Sequence, residues 1–242
     1  MSNAVEISYH PNKPTKIRRK IHKNSQGKIH REDEPAIEVY NIEGELIGTS
    51  WYINDNLHRE DGPAEVSSIK YNTGDFIERK KWYQYGKLHR LDGPAVIEKN
   101  LNSGNIFLEE WYQYGKLHRL DGPAKIRINN SSKYSHSIQS ESWYINGNLH
   151  REDGPANIWK SGDFIQGEEG EDEFFKNNNL FITKWYRDGE IHRMNGPALI
   201  KNKNQEIISK EWLRNGQIHR NNNPAVINYN NKKVSREEWY QY

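Results

Sequence analysis

Residues 82–95 decide the fold, and they read Trp-Tyr-Gln-Tyr-Gly-Lys-Leu-His-Arg-Leu-Asp-Gly-Pro-Ala. Residues 111–124 repeat this stretch letter for letter. Its second half, His-Arg-x-Asp-Gly-Pro-Ala, returns in variant form at seven histidines: His30, His58, His89, His118, His150, His192 and His219. The intervals between these histidines are 28, 31, 29, 32, 42 and 27 residues. Repetition at such a period is typical of stacked repeat proteins, so we expect seven repeats and not one globular core.

Tryptophan marks the same period. Six of the histidines follow a tryptophan by seven residues, and a seventh tryptophan opens a final half-repeat: Trp51, Trp82, Trp111, Trp143, Trp185, Trp212 and Trp239. The outer repeats drift from the motif, since Lys23 stands at the tryptophan position and Glu34 at the glycine position of the first repeat. Such drift is expected of terminal repeats, because each lacks one neighbour.

Composition narrows the class of protein. The chain has 242 residues, a mean hydropathy of −1.09, 12% aromatic residues and no cysteine. The lack of cysteine excludes disulfides, thiolate metal sites and thiol catalysis. Because no apolar run reaches about 18 residues, we expect no transmembrane segment. The first residues show no secretory signal, and we expect a cytoplasmic or otherwise intracellular protein.

Each repeat carries the signal for a β-hairpin between its tryptophan and its histidine. The turn candidates are Asn54-Asp55, Tyr85-Gly86, Tyr114-Gly115, Asn146-Gly147, Asp188-Gly189 and Asn215-Gly216. Asn-Gly and Asp-Gly favour two-residue type I′ turns, in which both central residues have positive φ. Such a turn predicts the following opposite pairs: Gln84 and Lys87, Tyr83 and Leu88, Trp82 and His89, Lys81 and Arg90.

A short apolar segment follows each Gly-Pro, as in Ala95-Val96-Ile97. We expect a second, bent strand there, with the alanine and the isoleucine on one face and the middle residue facing solvent. The prediction is an all-β fold: an elongated, twisted antiparallel sheet of about seven β-hairpin repeats, single-layered or partly coiled. We place this domain at residues 16–242, after an N-terminal tail at residues 1–15.

The pattern Trp-x-x-x-Gly-Lys-x-His resembles the MORN repeat and its variants, which also place tryptophan before a tight turn and histidine after it. The resemblance covers roughly residues 16–242 and is clearest at 82–95, 111–124 and 143–156. The present repeats are longer, and they carry Arg-x-Asp-Gly-Pro-Ala where MORN repeats have a glycine-rich strand. The resemblance implies scaffolding, dimerisation or partner docking. The His-Arg-x-Asp-Gly-Pro-Ala form is similar to proteins of large DNA viruses and some bacteria, which adds the virion as a location.

The repeated His-Arg-x-Asp set allows three interpretations. In the structural one, the aspartate caps its own turn and the arginine bridges to it or stacks on a tyrosine. In the second, the arginines bind an anion or a nucleotide. The third, catalysis, is disfavoured because a reaction needs one pre-organised pocket and not seven similar copies. Each repeat offers one histidine and one aspartate, too few for a metal site. We therefore expect no enzyme, no cofactor and no metal.

The tryptophans likewise allow two interpretations. They could form a binding surface, or each could stack on its cross-strand histidine and on the next tryptophan. We expect packing.

Basic residues give the first candidate site. We expect anion binding, if present, at Arg18, Arg19, Lys20, Arg59, Arg90, Arg119, Arg151 and Arg193. Regularly spaced cations suit a polyanion such as nucleic acid, or anionic lipid. However, Glu60, Asp61, Glu152 and Asp153 lie beside them and cancel charge. The basic N-terminal strand also has a structural interpretation, because cations on an edge strand prevent aggregation.

The 42-residue interval holds an acidic insertion at residues 161–179. Its candidate partner-binding residues are Phe164, Glu168, Glu169, Glu171, Asp172, Glu173, Phe174 and Phe175. A solvated loop is the alternative, although insertions in repeat proteins often map to the binding side.

A sheet with tryptophan and histidine on one face and tyrosine and leucine on the other cannot bury both faces alone. It must coil, form a homo-oligomer or be covered by another protein. We therefore expect a non-enzymatic scaffold for protein–protein interaction, with a binder of nucleotide, nucleic acid or anionic lipid as the alternative.

Overall fold

The structure of the protein is a computed structural model, which describes residues 3–71, 74–130, 136–163 and 176–240. The regular secondary structure of these residues consists of β-strands, and the strands pair antiparallel. The prediction of an all-β fold built from antiparallel hairpin repeats is confirmed. The chain divides into two compact parts, residues 1–116 and residues 117–242.

The first part contains long and short strands in regular alternation. In chain order they are β1 (Ala4–His10), β2 (Lys13–Lys23), β3 (Ile37–Tyr40), β4 (Leu46–Ser50), β5 (Tyr52–Ile53), β6 (Asn56–Leu57), β7 (Glu65–Lys70), β8 (Phe76–Lys81), β9 (Tyr83–Gln84), β10 (Lys87–Leu88), β11 (Val96–Asn100), β12 (Ile106–Glu110) and β13 (Tyr112–Gln113). The long strands form one sheet in the order β1-β2-β3-β4-β7-β8-β11-β12. The sheet therefore follows the sequence, and each long strand pairs with its chain neighbours.

The second part repeats this plan. Its strands, with β14 at the boundary, are β14 (Lys116–Leu117), β15 (Lys125–Asn130), β16 (His136–Ser142), β17 (Tyr144–Ile145), β18 (Asn148–Leu149), β19 (Asn157–Asp163), β20 (Lys176–Lys184), β21 (Tyr186–Arg187), β22 (Glu190–Ile191), β23 (Leu199–Lys203), β24 (Glu206–Glu211), β25 (Leu213–Arg214), β26 (Gln217–Ile218), β27 (Val226–Asn230) and β28 (Lys233–Glu238). Its long strands pair in the order β15-β16-β19-β20-β23-β24-β27-β28.

The short strands form the predicted hairpins with type I′ turns. Asn54 and Asp55 have φ of 49° and 67°, and Tyr85 has φ of 47°. Gln84 pairs with Lys87 and Tyr83 with Leu88, as the two-residue turn requires. The His89 N–H donates to the Trp82 carbonyl at 3.0 Å, which confirms the predicted position of these two residues.

The tryptophan ends the long strand instead of lying inside a continuous hairpin. Lys81 pairs with Glu65 and Val96 in the long sheet, so the prediction that it lies opposite Arg90 is wrong. The Trp82 N–H donates to the Ala95 carbonyl at 2.9 Å, which turns the chain from the long sheet into the short hairpin. A full repeat consequently contributes two long strands and two short strands, where the sequence suggested two strands in all.

Successive short hairpins are joined by backbone hydrogen bonds. In the first part, the Gly86 N–H donates to the Leu57 carbonyl at 2.8 Å, and the Arg59 N–H donates to the Tyr83 carbonyl at 3.3 Å. The same pair of bonds recurs between the next two hairpins. Each joint thus connects one short hairpin to the next, while each hairpin remains a two-stranded sheet of its own.

The core centres on the alanines of the motif. All seven are fully buried: Ala36, Ala64, Ala95, Ala124, Ala156, Ala198 and Ala225. In the second part, Ala198 and Leu199 pack with Leu213, and Ile191 and Ile218 lie against this cluster. Since Leu213, Ile191 and Ile218 belong to short hairpins, the core lies between these hairpins and the alanine ends of the long strands.

The residue after the alanine proves to be the inward one in several repeats. Val96, Leu199 and Val226 are buried. The isoleucines one position further, Ile97 among them, are only half-buried. The prediction that the middle residue faces solvent is therefore wrong for these repeats, because side-chain alternation does not hold at this bend: the alanine and the next residue are both buried, and Ala198 and Leu199 both pack with Leu213.

Candidate interaction surfaces

The motif arginine stacks on the tryptophan of its own repeat. The Cζ atom of Arg90 lies 4.1 Å from the Trp82 ring centroid. The same contact measures 4.0 Å for Arg59 on Trp51, 4.1 Å for Arg151 on Trp143, 4.0 Å for Arg193 on Trp185 and 3.8 Å for Arg220 on Trp212. A cation over an indole face is attracted by the ring quadrupole. The predicted stacking of tryptophan on histidine is replaced by this cation–π contact.

Polar contacts hold the same guanidinium. Arg90 donates from Nε to the Asp92 carboxylate at 2.9 Å and from Nη1 to the Pro94 carbonyl at 3.2 Å. The aspartate therefore anchors the arginine, which agrees with the predicted Arg–Asp bridge. The Pro94 carbonyl lies directly before Ala95. The arginine thus ties the tryptophan to the chain that enters the core.

The motif glycine makes room for this arrangement. A Cβ atom on Gly122 or on Gly154 would lie 2.9 Å from the Cζ atom of Arg119 or Arg151. Such a separation is shorter than van der Waals contact, so any larger residue must displace the guanidinium. In the first repeat, Glu34 occupies the glycine position and forms an ion pair with Arg31.

The divergent repeats show which contacts of the motif arginine persist when other motif residues are replaced. Arg220 lacks the aspartate, because the sequence continues Asn221-Asn222-Asn223, yet it keeps Trp212 and donates to the Pro224 carbonyl at 3.1 Å. In the first repeat, where Lys23 replaces tryptophan, Arg31 contacts His22 Nε2 at 3.1 Å instead. The contact to the proline carbonyl persists in both repeats, while the aspartate varies.

The four arginine–aspartate pairs predict that the stability of the fold decreases at low pH. The pairs involve Asp61, Asp92, Asp121 and Asp153. A hydrogen bond from the arginine holds the pKa of each aspartate below its ordinary value of 3.8. Because the pKa is lower in the folded state, the pairs stabilise the fold above about pH 4 and lose this effect as pH falls through the folded-state pKa.

Urea denaturation at about pH 5 and about pH 2.5 measures this effect. We expect the urea midpoint to fall at the lower pH, and to fall less when all four aspartates are changed to asparagine. The exposed Asp33→Asn variant is the control and should behave as the wild type, because Asp33 holds the same motif position but forms no ion pair with any residue that the structure describes. An identical fall in the fourfold variant would contradict a role for the pairs.

In six repeats the histidine contacts the turn of the next repeat. The Tyr85 N–H donates to His58 Nδ1 at 3.4 Å, and the Tyr114 N–H donates to His89 Nδ1 at 3.2 Å. Four further joints have the same contact: Asn54 with His30, Asn146 with His118, Asp188 with His150 and Asn215 with His192. The histidine therefore links successive repeats and does not lie free in a pocket.

At the two tyrosine turns the histidine and tyrosine rings are also in contact, stacked in the first pair and tilted in the second. The ring centroids of His58 and Tyr85 lie 4.4 Å apart at 23°, and those of His89 and Tyr114 lie 4.4 Å apart at 40°. At three other joints a turn side-chain oxygen takes this place, for example Asn215 Oδ1 at 2.8 Å from His192 Nδ1. The side chain next to the histidine ring is thus an amide, a carboxylate or an aromatic ring, depending on the turn.

The arginine candidates for anion binding fall into two groups. Arg59, Arg90, Arg119 and Arg151 have side chains only 21% to 25% exposed, and their guanidinium groups hold internal aspartates. Arg193 has no aspartate, and burial lowers the pKa of its guanidinium. Anion binding at these residues would therefore compete with contacts inside each repeat.

The N-terminal candidates are differently placed. Arg18 and Arg19 are exposed on β2, whereas Lys20 forms an ion pair with Glu38 at 3.1 Å. The Lys20 ammonium also lies 5.2 Å from the Tyr40 ring, and the contacts with Tyr40 and then Glu38 raise the pKa of Lys20. Residues 4–10, assigned to the tail in the sequence analysis, form β1 and pair with β2.

The acidic insertion stays a sequence-based candidate. The eight candidate partner-binding residues from Phe164 to Phe175 lie outside the described residues. Within the described ranges, no group of three or more histidine, aspartate and glutamate side chains is arranged to hold a metal ion. No described segment forms a helix long and apolar enough to cross a membrane.

Two exposed residues of interest were missed by the sequence reasoning. Tyr85 and Tyr114 lie at the first turn position, and they are 70% and 68% exposed. The available signal was the tyrosine itself, because the other four turns carry asparagine or aspartate at this position.

No family model matches the chain, and a comparison with curated proteins finds no similar sequence. The likeness to MORN repeats therefore depends on the motif alone.

Proposed function

We propose that the protein is a non-enzymatic repeat scaffold for protein–protein interaction, of the kind that the resemblance to MORN repeats implies. The proposal is supported by the contacts that the motif histidines and arginines make. The histidines bind the turn of the next repeat, and the arginines bind tryptophan, proline carbonyl and, in four repeats, aspartate. The groups that could do chemistry are occupied in holding the repeats together, which leaves the turns and loops for recognition.

Capture of binding proteins from a lysate of the native source tests this proposal. The tagged protein is incubated with lysate with and without nuclease and washed at low and high salt. A defined protein that is retained after nuclease and at high salt supports the scaffold. Recovery of nucleic acid or lipid only, lost at high salt, would overturn it, because electrostatic binding to a polyanion weakens steeply with salt.

A second candidate, binding of nucleotide, nucleic acid or anionic lipid, is favoured by one observation. Arg18 and Arg19 are exposed on β2, and the exposed Lys13 and Lys16 lie on the same strand. An Arg18→Ser, Arg19→Ser variant should lose any salt-sensitive binding while it keeps salt-resistant protein partners.

A further inference from the structure

Tyr85 and Tyr114 occupy a backbone conformation that does not suit them. Their φ angles are 47° and 50°, in the left-handed region where a side chain with a Cβ atom is disfavoured. Asparagine and aspartate tolerate this region better. The chain itself uses them at Asn54, Asn146 and Asp188, as well as Asn215. The fold is therefore built equally well without tyrosine at this position.

Both tyrosines also remain largely exposed. Each ring contacts a histidine ring, and the two residues are still 70% and 68% exposed. A strained residue whose side chain is not buried contributes little to the core. Outliers of this kind concentrate at sites of recognition. The two rings thus form a pair of aromatic platforms, each backed by a histidine ring.

The distance between the two tyrosine rings follows from the hydrogen bonds that join successive short hairpins. The Gly115 N–H donates to the Leu88 carbonyl at 2.8 Å, and the Arg90 N–H donates to the Tyr112 carbonyl at 3.1 Å, so the two hairpins are adjacent. Equivalent residues of adjacent hairpins lie two strand spacings apart, which is about 10 Å. A polyproline II helix repeats every three residues, over about 9 Å. Two prolines three positions apart therefore match the two rings.

The positive charge beside the two tyrosine rings determines which proline-containing segments would bind there. Lys87 and Lys116 follow the two turns, and both are exposed. Neither forms an ion pair with any residue that the structure describes. The base of the Lys87 side chain lies beside the next turn, since a Cβ atom on Gly115 would lie 3.8 Å from the Lys87 Cβ atom. A partner with carboxylates between its prolines would place them near these ammonium groups.

We infer that Tyr85 and Tyr114, with Lys87 and Lys116, form a docking site for an acidic proline-rich segment in the polyproline II conformation. Aromatic rings recognise such segments because the extended helix is formed in advance and loses little entropy on binding. This inference rests on the proposed scaffold function and specifies one partner class for it.

The test uses the full chain and a labelled peptide of four Pro-Pro-Glu repeats, with binding followed by fluorescence anisotropy. A peptide of four Gly-Ser-Glu repeats tests the need for the polyproline helix, and one of four Pro-Pro-Lys repeats tests the charge. We expect the proline–glutamate peptide to bind at least about tenfold more tightly than either control. A single-stranded oligothymidylate is the comparison for nucleic acid, which aromatic and basic residues also bind.

The matched variant is Tyr85→Asn, Tyr114→Asn, which installs the residue that the chain uses at equivalent turns. We expect it to weaken peptide binding at least about tenfold, and to leave the urea midpoint unchanged or higher. Lys87→Glu, Lys116→Glu should reverse the preference between the glutamate and lysine peptides.

Several outcomes would overturn the inference. They are no binding of the proline–glutamate peptide, equal binding by the asparagine variant, tighter binding of oligothymidylate, or a lower urea midpoint of the asparagine variant, which would make the tyrosines structural. Any of these leaves the scaffold proposal to its own test, since lysate capture does not depend on this site. Failure of lysate capture with retained peptide binding would overturn only the broader function.

Discussion

Ala95→Leu is expected to lower the free energy of unfolding by about 3 kcal/mol, because extra methylenes in a tightly packed site force the backbone and its neighbours apart. Ala95 has no exposed surface. Its N–H donates to the Glu110 carbonyl at 2.8 Å, and its carbonyl accepts from the Trp82 N–H at 2.9 Å. Both hydrogen bonds fix its backbone at the junction between the long sheet and the short hairpin. The site therefore cannot expand without breaking one of them.

Urea denaturation followed by far-UV circular dichroism measures this loss. Ala4→Leu is the matched control, because Ala4 begins a long strand, as Ala95 directly precedes one, but Ala4 is exposed. Its effect should stay within about 0.5 kcal/mol, as is usual for surface positions. Equal effects of the two substitutions would show that the site of the motif alanine is not tightly packed.

The result also bears on why alanine occupies this position. All seven motif alanines are fully buried, and among the described residues no larger side chain is fully buried. The repeat is held by small buried side chains and by half-buried aromatic residues around them. This explains how a chain with only 33% hydrophobic residues forms stable packing units.

The repeat period, the hairpin and its turn type could be predicted because they depend on local chemistry. Asn146-Gly147 and Asp188-Gly189 specify positive φ by themselves. The type I′ turn then fixes the register of Tyr83 with Leu88. These features need no knowledge of more distant residues.

The division of each repeat into long and short hairpins could not be predicted in the same way. The bend after Gly-Pro interrupts the side-chain alternation, and a shift of one residue exchanges the two faces of a strand. Val96 is therefore buried where the alternation from Ala95 placed it in solvent. Pairing of Lys81 with Val96 is also a contact between distant segments, which no local pattern specifies.

The partners of the motif side chains depended on the same non-local geometry. The sequence suggested that histidine stacks on tryptophan, whereas the His89 ring contacts Tyr114 of the following turn and Arg90 stacks on Trp82. The Arg–Asp bridge was predictable because its two residues are two positions apart. The joint between repeats was not, because it connects residues separated by 25 positions.

Trp82→Ala is expected to lower the free energy of unfolding by about 3 kcal/mol, the lower end of the range for loss of a large aromatic residue from a core, because Trp82 is half-buried. The substitution removes the indole under Arg90 and leaves the guanidinium beside an empty space. Trp239→Ala is the control, since Trp239 is 58% exposed, and it should lower the free energy of unfolding by less than about 1 kcal/mol.

A double-mutant cycle identifies the partner of the tryptophan. If the Arg90 stack carries the contact, Trp82→Ala and Arg90→Ala should be non-additive by about 1 kcal/mol, as expected for a partly desolvated cation–π pair. The parallel cycle of Trp82→Ala with His89→Ala should show the smaller coupling, because the His89 ring contacts Tyr114. A larger coupling with His89 than with Arg90 would contradict this arrangement. It would mean that tryptophan and histidine form the structural pair, and the arginines of the repeats would then be available to bind anions.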